Sequence, residues 1–489
     1  MSIQEQKPHF GMLPYVAQGH MIPMMDLARL LAKRGLTISI LTTPHNAGRF
    51  KFVVDRAIAT GLDIHILHLK FPSSQVGLPD GCENFDMLSS SDDLVKMFRT
   101  IDMLKEQVEA LLRQLKPSPT CFIADACFPS WATTVALKLH IPRILFYVTT
   151  CFSLLCRHVQ RMICQELEAM ASDTEYFVLP GLPDRIELTR AQFRGTPNGP
   201  SFDWSEFWDE MREAETEAFG AVVALKSWNL NTSKNTRKPQ GKESDYSDKA
   251  ERGNIGEHEY CLKWLDNKEP GSVVYVCLGS QAGLATSPLI ELALGLEASS
   301  RPFIWVLKNA SEESQKWLFE EKFEEGIKDR GLLIRGWAPQ VLILSHPSVG
   351  AFFTHCGGNS TLEGIIAGLP MITWPVFSDH FCNEKLIVNV IKTGLRAGVE
   401  EPVILLEEDH DHEERVQVKN DEIKRVIEML MDGGEEGNER RKRAKELGEM
   451  AKRAMEEGGS SYLNLTLFIQ DVIAEQTLFA GPELSGGSS

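Results

Sequence analysis

The run Gly357-Gly358-Asn359-Ser360-Thr361 carries the first chemical hint in this sequence. It follows an apolar stretch, Gly350 to Cys356, that reads as a strand, and it opens a stretch of helical pattern. A helix that begins on glycines leaves its first N–H groups free, and these make a site for an anion; a diphosphate belongs there. Taken alone, Asn359 and Ser360 serve equally well as a helix cap. Nearer the N terminus, Gln18-Gly19-His20-Met21 stands between a strand-like run and a helical one, at the sheet edge where open α/β folds bind ligands. A lone histidine there more often than not belongs to the helix start or the core. Asp125, in IADACF, ends another strand-like run, where a plain turn aspartate is the lesser reading.

These positions need a scaffold, and the sequence supplies one. Phe10 to Val16 reads as a strand, and the helix after it stops at Gly35. LTISILTT, IHILHLKF, CFIADACF and RILFYVTT read as further strands, with helices over Leu94 to Leu115 and Trp131 to Leu139 between them. SVVYVCLGS, RPFIWVLK, LLIRGW, GAFFTHCG and PMITWPV repeat the theme, with helices from about Ser287 to Ala298 and around Leu362 to Ala367. Such alternation implies α/β architecture in two doubly wound halves, each a parallel sheet wrapped by helices. The polar, aperiodic stretch Ser227 to Gly253 is the natural linker. The apolar helix over 461–479 is expected to cross back to the first half.

The chain of 489 residues exceeds one ordinary core. A net charge of -17 excludes a nucleic-acid or anionic-membrane partner, which would select clustered Lys and Arg. Ten cysteines without a C-x-x-C pair read as reduced thiols rather than a zinc site or disulfide framework. His410 and His412 fall in an acidic run, Glu407 to Glu414, read as an exposed loop rather than a metal site. There is no secretory leader pattern and no run of about 18 apolar residues, so a cytoplasmic setting without stable membrane insertion is expected.

From Trp337 to His380 the sequence is WAPQVLILSHPSVGAFFTHCGGNSTLEGIIAGLPMITWPVFSDH, which closely resembles the donor-binding box of plant family 1 UDP-glycosyltransferases, the secondary-metabolite type. The resemblance implies the GT-B fold, two Rossmann-like domains facing a central cleft. The expected division is 1–245 for the acceptor, 246–460 for the UDP-sugar, and 461–489 as a returning helix and tail. It implies that His355, Gly357, Asn359 and Ser360 contact the phosphates and that Trp337 stacks on uracil. Ala338 and Gln340 would meet the base and ribose, and Glu363 would hold the ribose hydroxyls, since a carboxylate accepts from both. Asp379 and His380 would read the sugar, with Thr149 beside it, and Ser280 would face the phosphates.

His20 matches the family's general base, a role that suits an imidazole near neutral pH, and Asp125 the carboxylate that orients it. The implied reaction is displacement of UDP at the anomeric carbon with inversion, onto a hydroxyl of a small lipophilic acceptor such as a flavonoid or terpenoid. The co-substrate is UDP-glucose or UDP-galactose, without metal or further cofactor, and the enzyme is expected to act as a monomer.

Three departures from the family stand out. Gly358 replaces a usual Trp, which weakens donor binding in this reading. His380 replaces the Gln of glucose users, as in some galactose users; glucose is still favoured, with galactose second. Ala224 to Gln240 lacks the expected strand and linker motifs; a two-nucleotide shift permits E-L-E-P-E-Y while W-x-x-G-P stays lost, so a frame slip with a short deletion across 224–247 would cost the first sheet a strand. The alternative reading is a catalytically silent UDP-sugar-binding relative. An NAD(P) oxidoreductase is disfavoured, because G-x-G-x-x-G is absent after the first strand.

Overall fold

The computed structural model describes residues 7–194, 220–223, 255–279, 284–308, 310–403 and 416–479. The linker over Ser227 to Gly253, the acidic run with His410 and His412, and Ser280 all lie outside these residues. Strands β1 (His9–Leu13), β2 (Thr37–Thr42), β3 (Ile64–His68), β4 (Cys121–Asp125) and β5 (Arg143–Tyr147) alternate with helices. A short antiparallel hairpin, β6 (Tyr176–Val178) and β7 (Glu187–Thr189), comes before β8 (Gly220–Val223).

The first sheet is parallel throughout, in the order β3-β2-β1-β4-β5-β8. Every residue of β1, β2 and β4 is buried, because helices cover both faces. Alternate side chains feed two layers: Phe10, Met12, Ile38, Ile40 and Ile123 enter one, and Leu13, Leu41, Phe122 and Ala124 the other. The sixth place in this sheet is filled by Gly220–Val223, paired with β5 in the register Ile144 to Gly220. The expected loss of a strand is therefore corrected: the ladder closes upstream of the aberrant segment, and residues 224–254 lie outside those described.

The second sheet repeats the plan with β9 (Val273–Cys277), β10 (Phe303–Val306), β11 (Gly331–Ile334), β12 (Val349–Thr354), β13 (Met371–Thr373) and β14 (Gly394–Arg396), ordered β11-β10-β9-β12-β13-β14. In each sheet the chain winds outward from a central strand, then returns to that strand's other side. The switch points are thus β1/β4 and β9/β12, where the loops that follow adjacent strands part in opposite directions.

Contacts divide the chain into two compact units. One holds the described residues of Met1–Val148, Pro200–Trp228 and Ala454–Ser489; the other holds those of Thr149–Gly199 and Asn229–Arg453. The division differs from the expected boundary at 245, since 149–199 groups with the second sheet. Cys156 and Val159, on helix Cys151–Met162, enter the second unit's core, and Gln192 donates to the Glu400 carbonyl at 2.7 Å. The helix read over Leu94 to Leu115 is two, Ser91–Asp102 and Lys105–Gln114. Buried Met97, Ile101, Leu104, Val108 and Leu112 keep the helical spacing through the break, which is why the pattern read as one element.

The last helix, Ser460–Phe479, packs in the first unit. Its Leu465 and Val472 are buried with Phe10 and Met12, and Phe468 meets Phe10 edge to face at 6.4 Å. Arg34 anchors it, lying 3.8 Å over the Tyr462 ring and donating to Thr466 Oγ1 at 2.6 Å.

Candidate active site

The first switch point holds His20 and Asp125. Helix Gln18–Lys33 starts directly after the loop that leaves β1, and His20 sits in its first turn, its N–H bonded to the Ala17 carbonyl at 3.0 Å. Asp125 is the last residue of β4, the strand paired with β1. The two side chains, 105 positions apart, meet with His20 Nδ1 2.9 Å from Asp125 Oδ2. The carboxylate is 1% exposed and the imidazole 21%, so the pair is buried at the acid and open at the ring. A carboxylate only accepts, which places the proton on Nδ1 and the lone pair on Nε2. Asp125 Oδ1 in turn accepts from the Cys127 backbone N–H at 2.9 Å, so both oxygens are held.

An aromatic cluster reaches the imidazole through Tyr15. Tyr15 lies 5.5 Å from the His20 ring, with Phe85 and Phe128 each 5.3 Å from Tyr15 and Trp131 5.6 Å from Phe128. The buried Tyr15 hydroxyl has no hydrogen-bond partner among the described residues, and burial, with Cys127 and Asp125 nearby, pushes its pKa well above the usual value. The loop bearing Phe85 is tied down by buried amides: Asn84 donates to Asn46 Oδ1 at 2.9 Å, and Asn46 to the Glu83 carbonyl at 2.8 Å.

The second switch point carries the box. β12 ends at Thr354, and helix Gly358–Ala367 begins with Gly357 as its N-cap, so Asn359 and Ser360 stand in its first turn beside the free N–H groups. A Cβ on Gly357 would lie 2.5 Å from His355 Nε2, and one on Gly279, whose φ is +100°, 3.0 Å from the His355 ring. Glycine at both places lets the backbone close on the imidazole. Gly358 is the first, buried residue of the helix.

His355 and His380 meet edge to face at 4.8 Å. Desolvation, and secondarily the His380 ring, push His355 down to about 3, and desolvation takes His380 to about 3 as well. Both rings are neutral at physiological pH. His380 Nδ1 faces the backbone N–H groups of Val376 and Phe377, at 3.3 and 3.2 Å. Nδ1 is thus the acceptor, and Nε2–H is left as a donor.

Gln340 opens helix Gln340–Leu344, and its amide accepts from the buried Tyr275 hydroxyl at 3.1 Å while donating to Ser360 Oγ at 3.1 Å and Glu363 Oε2 at 2.5 Å. Trp337, half-buried, and Ala338, buried, lie in the turn just before it. Asp379 Oδ2 accepts from Thr149 Oγ1 at 2.5 Å and from Asn383 Nδ2 at 2.9 Å. Asn383 is fully buried: Nδ2 also reaches the Cys356 carbonyl at 2.8 Å, and Oδ1 accepts from Thr150 and Ser153, each at 2.8 Å. Among the residues named from sequence, His20 and Asp125 come together in one unit, and Gln340, Ser360 and Glu363 bond to one another in the other. Asn383 and Tyr275 were missed; an asparagine and a tyrosine set in the apolar runs FCNEKLIV and SVVYVCL were the available signals.

Comparison with known proteins agrees with this fold. The family model described as "UDP-glucoronosyl and UDP-glucosyl transferase" matches residues 263–399. UDP-glycosyltransferase 73C3 of Arabidopsis thaliana is 49% identical over 490 residues, covering 95% of this chain and 96% of the relative. UDP-glycosyltransferase 73C25 of Barbarea vulgaris is 50% identical over 483 residues, with 95% and 96% covered. The crystal structure of Glycyrrhiza uralensis UGT73P12, complexed with glycyrrhetinic acid 3-O-monoglucuronide, superposes with a TM-score of 0.83 at 33% identity over 96% of this chain and 97% of that one. These matches favour an enzyme over a silent sugar-nucleotide-binding relative. With a two-sheet Rossmann-like fold and relatives matched along nearly their whole length, the chain belongs to the plant UDP-glycosyltransferases and is a glycosyltransferase that uses a UDP-sugar.

Proposed function

We propose that this enzyme transfers glucose from UDP-glucose, with galactose as the second donor, onto a hydroxyl of a small lipophilic acceptor of the flavonoid or terpenoid class. The observation that carries the reading is the His20–Asp125 pair, whose 2.9 Å bond leaves Nε2 as the accepting nitrogen. In this reading the acceptor hydroxyl gives its proton to His20 Nε2 as its oxygen bonds to the anomeric carbon. The bond from that carbon to the β-phosphate oxygen breaks, its electron pair leaves with UDP, and the α-linked donor becomes a β-glycoside. Asp125 stabilises the imidazolium so formed. The aromatic cluster of Tyr15, Phe85 and Phe128, which reaches the imidazole through Tyr15, supports a flat, apolar acceptor.

For the donor, the reading gives the diphosphate to the N–H groups opening helix Gly358–Ala367, to Asn359 and Ser360, and to neutral His355 as a hydrogen-bond donor. Ser280 would join them, Trp337 would cover the uracil beside Ala338, and Gln340 would orient Glu363 toward the ribose hydroxyls. Asp379 and His380 would read the sugar, Asp379 accepting and His380 donating through Nε2–H. No metal is required in this scheme. Cytoplasmic action as a monomer is part of the proposal; no described helix is long and apolar enough to cross a membrane.

UDP release by the purified enzyme tests the reading, with UDP-glucose and then UDP-galactose against a panel of flavonol and triterpenoid acceptors. Release that requires an acceptor, is faster with UDP-glucose and disappears in His20→Ala is the expected result. Acceptor-dependent release that survives His20→Ala would remove His20 from the role of base.

A further inference from the structure

The reaction outlined above makes no use of the Cys127 side chain. Its sulfur, a carboxylate oxygen of Asp125 and a ring nitrogen of His20 all lie within 4.8 Å of one another. Asp125 ends β4, and the bond from the Cys127 N–H to Asp125 Oδ1, at 2.9 Å, holds the turn that keeps thiol and carboxylate close. Imidazole nitrogen, carboxylate oxygen and thiolate sulfur are the ligand types of zinc, with bonds of about 2.0–2.3 Å. Donors in a tetrahedral shell of that size stand roughly 3.3–3.8 Å apart. Opening the His20–Asp125 pair from 2.9 Å by about 0.4 Å and moving the thiol by about 1 Å therefore completes the set. The geometry points to an inhibitory zinc(II) site: one ion held by His20, Asp125 and Cys127, with water in the fourth position, switches the transferase off.

The inhibitory step rests on His20 being the base. In the metal-free pair the ring proton sits on Nδ1, toward Asp125, and Nε2 accepts. A cation among the three residues takes Nδ1 and the carboxylate, and the ring proton moves to Nε2, which then donates and no longer accepts. The Cys127 thiol gives its proton to solvent, so each ion bound releases one proton. The dication is balanced by one carboxylate and one thiolate. Ligands drawn from the helix start that follows β1 and from the end of β4 with its turn make the site a property of the β1/β4 switch point.

Cobalt(II) serves as the spectroscopic probe, because thiolate ligation to it produces an intense near-ultraviolet charge-transfer band. The full-length, metal-stripped enzyme is titrated with cobalt(II) and then zinc(II) in the absence of substrates. The expected result is a band that saturates at one equivalent, is displaced by zinc and is missing from Cys127→Ser and Cys127→Ala. Turnover should fall with zinc and return with a chelator. The zinc concentration for half-inhibition should rise at least about tenfold in both variants, each judged against its own metal-free rate. A band that never forms, or that persists in both variants, overturns the site, as does equal inhibition of wild type and variants. Metal-free His20→Ala turnover reports on the base separately, so failure of the zinc proposal and failure of the base assignment give different results.

Discussion

Asn383 donates through Nδ2 to the carbonyl of Cys356 at 2.8 Å, and Cys356 is a non-glycine residue held at a φ of 66°. A side chain in the left-handed region costs on the order of 1 kcal/mol and persists only where its surroundings fix it. Cys356 is the turn between β12 and the helix that opens on Gly358, and the same Nδ2 group also holds Asp379. One buried amide therefore ties the proposed phosphate turn to the proposed sugar carboxylate.

Asn383→Ala should raise the KM for the UDP-sugar by roughly tenfold, within the 1–3 kcal/mol that an abandoned buried partner costs, and should leave the KM for the acceptor nearly unchanged. Asn383→Asp should be worse, because it sets an acceptor against the Cys356 carbonyl and the Asp379 carboxylate. Steady-state kinetics with both substrates varied distinguish the two; equal losses from Ala and Asp would show that an acceptor set against Cys356 and Asp379 adds no penalty.

Asp125→Asn keeps the shape of the pair but offers Nδ1 an amide. If the amide N–H₂ faces the ring, Nδ1 must accept and Nε2 carries the proton. The variant should fold with unchanged thermal stability to within about 1 kcal/mol while kcat falls by roughly 10²–10⁴-fold. Circular dichroism melts and turnover, measured on one preparation, check both halves.

His355 and His380 are each held to about 3, against about 6.5 for a free imidazole. The fold keeps them neutral at pH 5, whereas the unfolded chain protonates them below about 6.5. Their contribution is fully present above that value and is lost as pH falls toward 3, at up to about 1.4 kcal/mol per unit for each ring. His380→Gln removes one such site. Between pH 7 and 5 it should lose about 2 kcal/mol less unfolding free energy than wild type, by urea titration at both values. It should also shift donor preference toward UDP-glucose, since the amide presents an acceptor that the backbone-bound imidazole withholds.

Leu465→Ala should destabilise the enzyme by about 2–5 kcal/mol, because Leu465 is buried against strands of the first sheet. Arg34→Ala removes the stack on Tyr462 and the bond to Thr466 and should cost less, about 1–2 kcal/mol. Chemical unfolding of both variants tests the order.

The donor box was legible because its residues are contiguous: one strand, one glycine turn and one helix bring His355 to Glu363 together locally. His20 and Asp125 were legible only as strand-end residues, and their pairing came from the resemblance, since 105 positions separate them. Asn383 was not legible, because its partners come from Thr150 to Asp379 and nothing local marks a buried amide as a junction. The placement of 149–199 also escaped the pattern. Its helix is amphipathic in the usual way, and the polar partners of the segment, Asn383 and Glu400, lie far along the chain. The bonds of the Gln340 amide to Tyr275, Ser360 and Glu363 were equally invisible, because these partners lie 20 or more positions away.

The contact between Phe10 and Phe468 joins the first strand to the last helix. A ribosome adding roughly 5–20 residues per second needs on the order of a minute to travel between them. Throughout that interval the growing chain holds β1 and its neighbours without the apolar cover that Leu465 and Val472 later supply. Maturation of the unit bearing His20 must therefore wait until helix Ser460–Phe479 has been made, and any truncation ahead of that helix would leave a sticky surface for chaperones to guard.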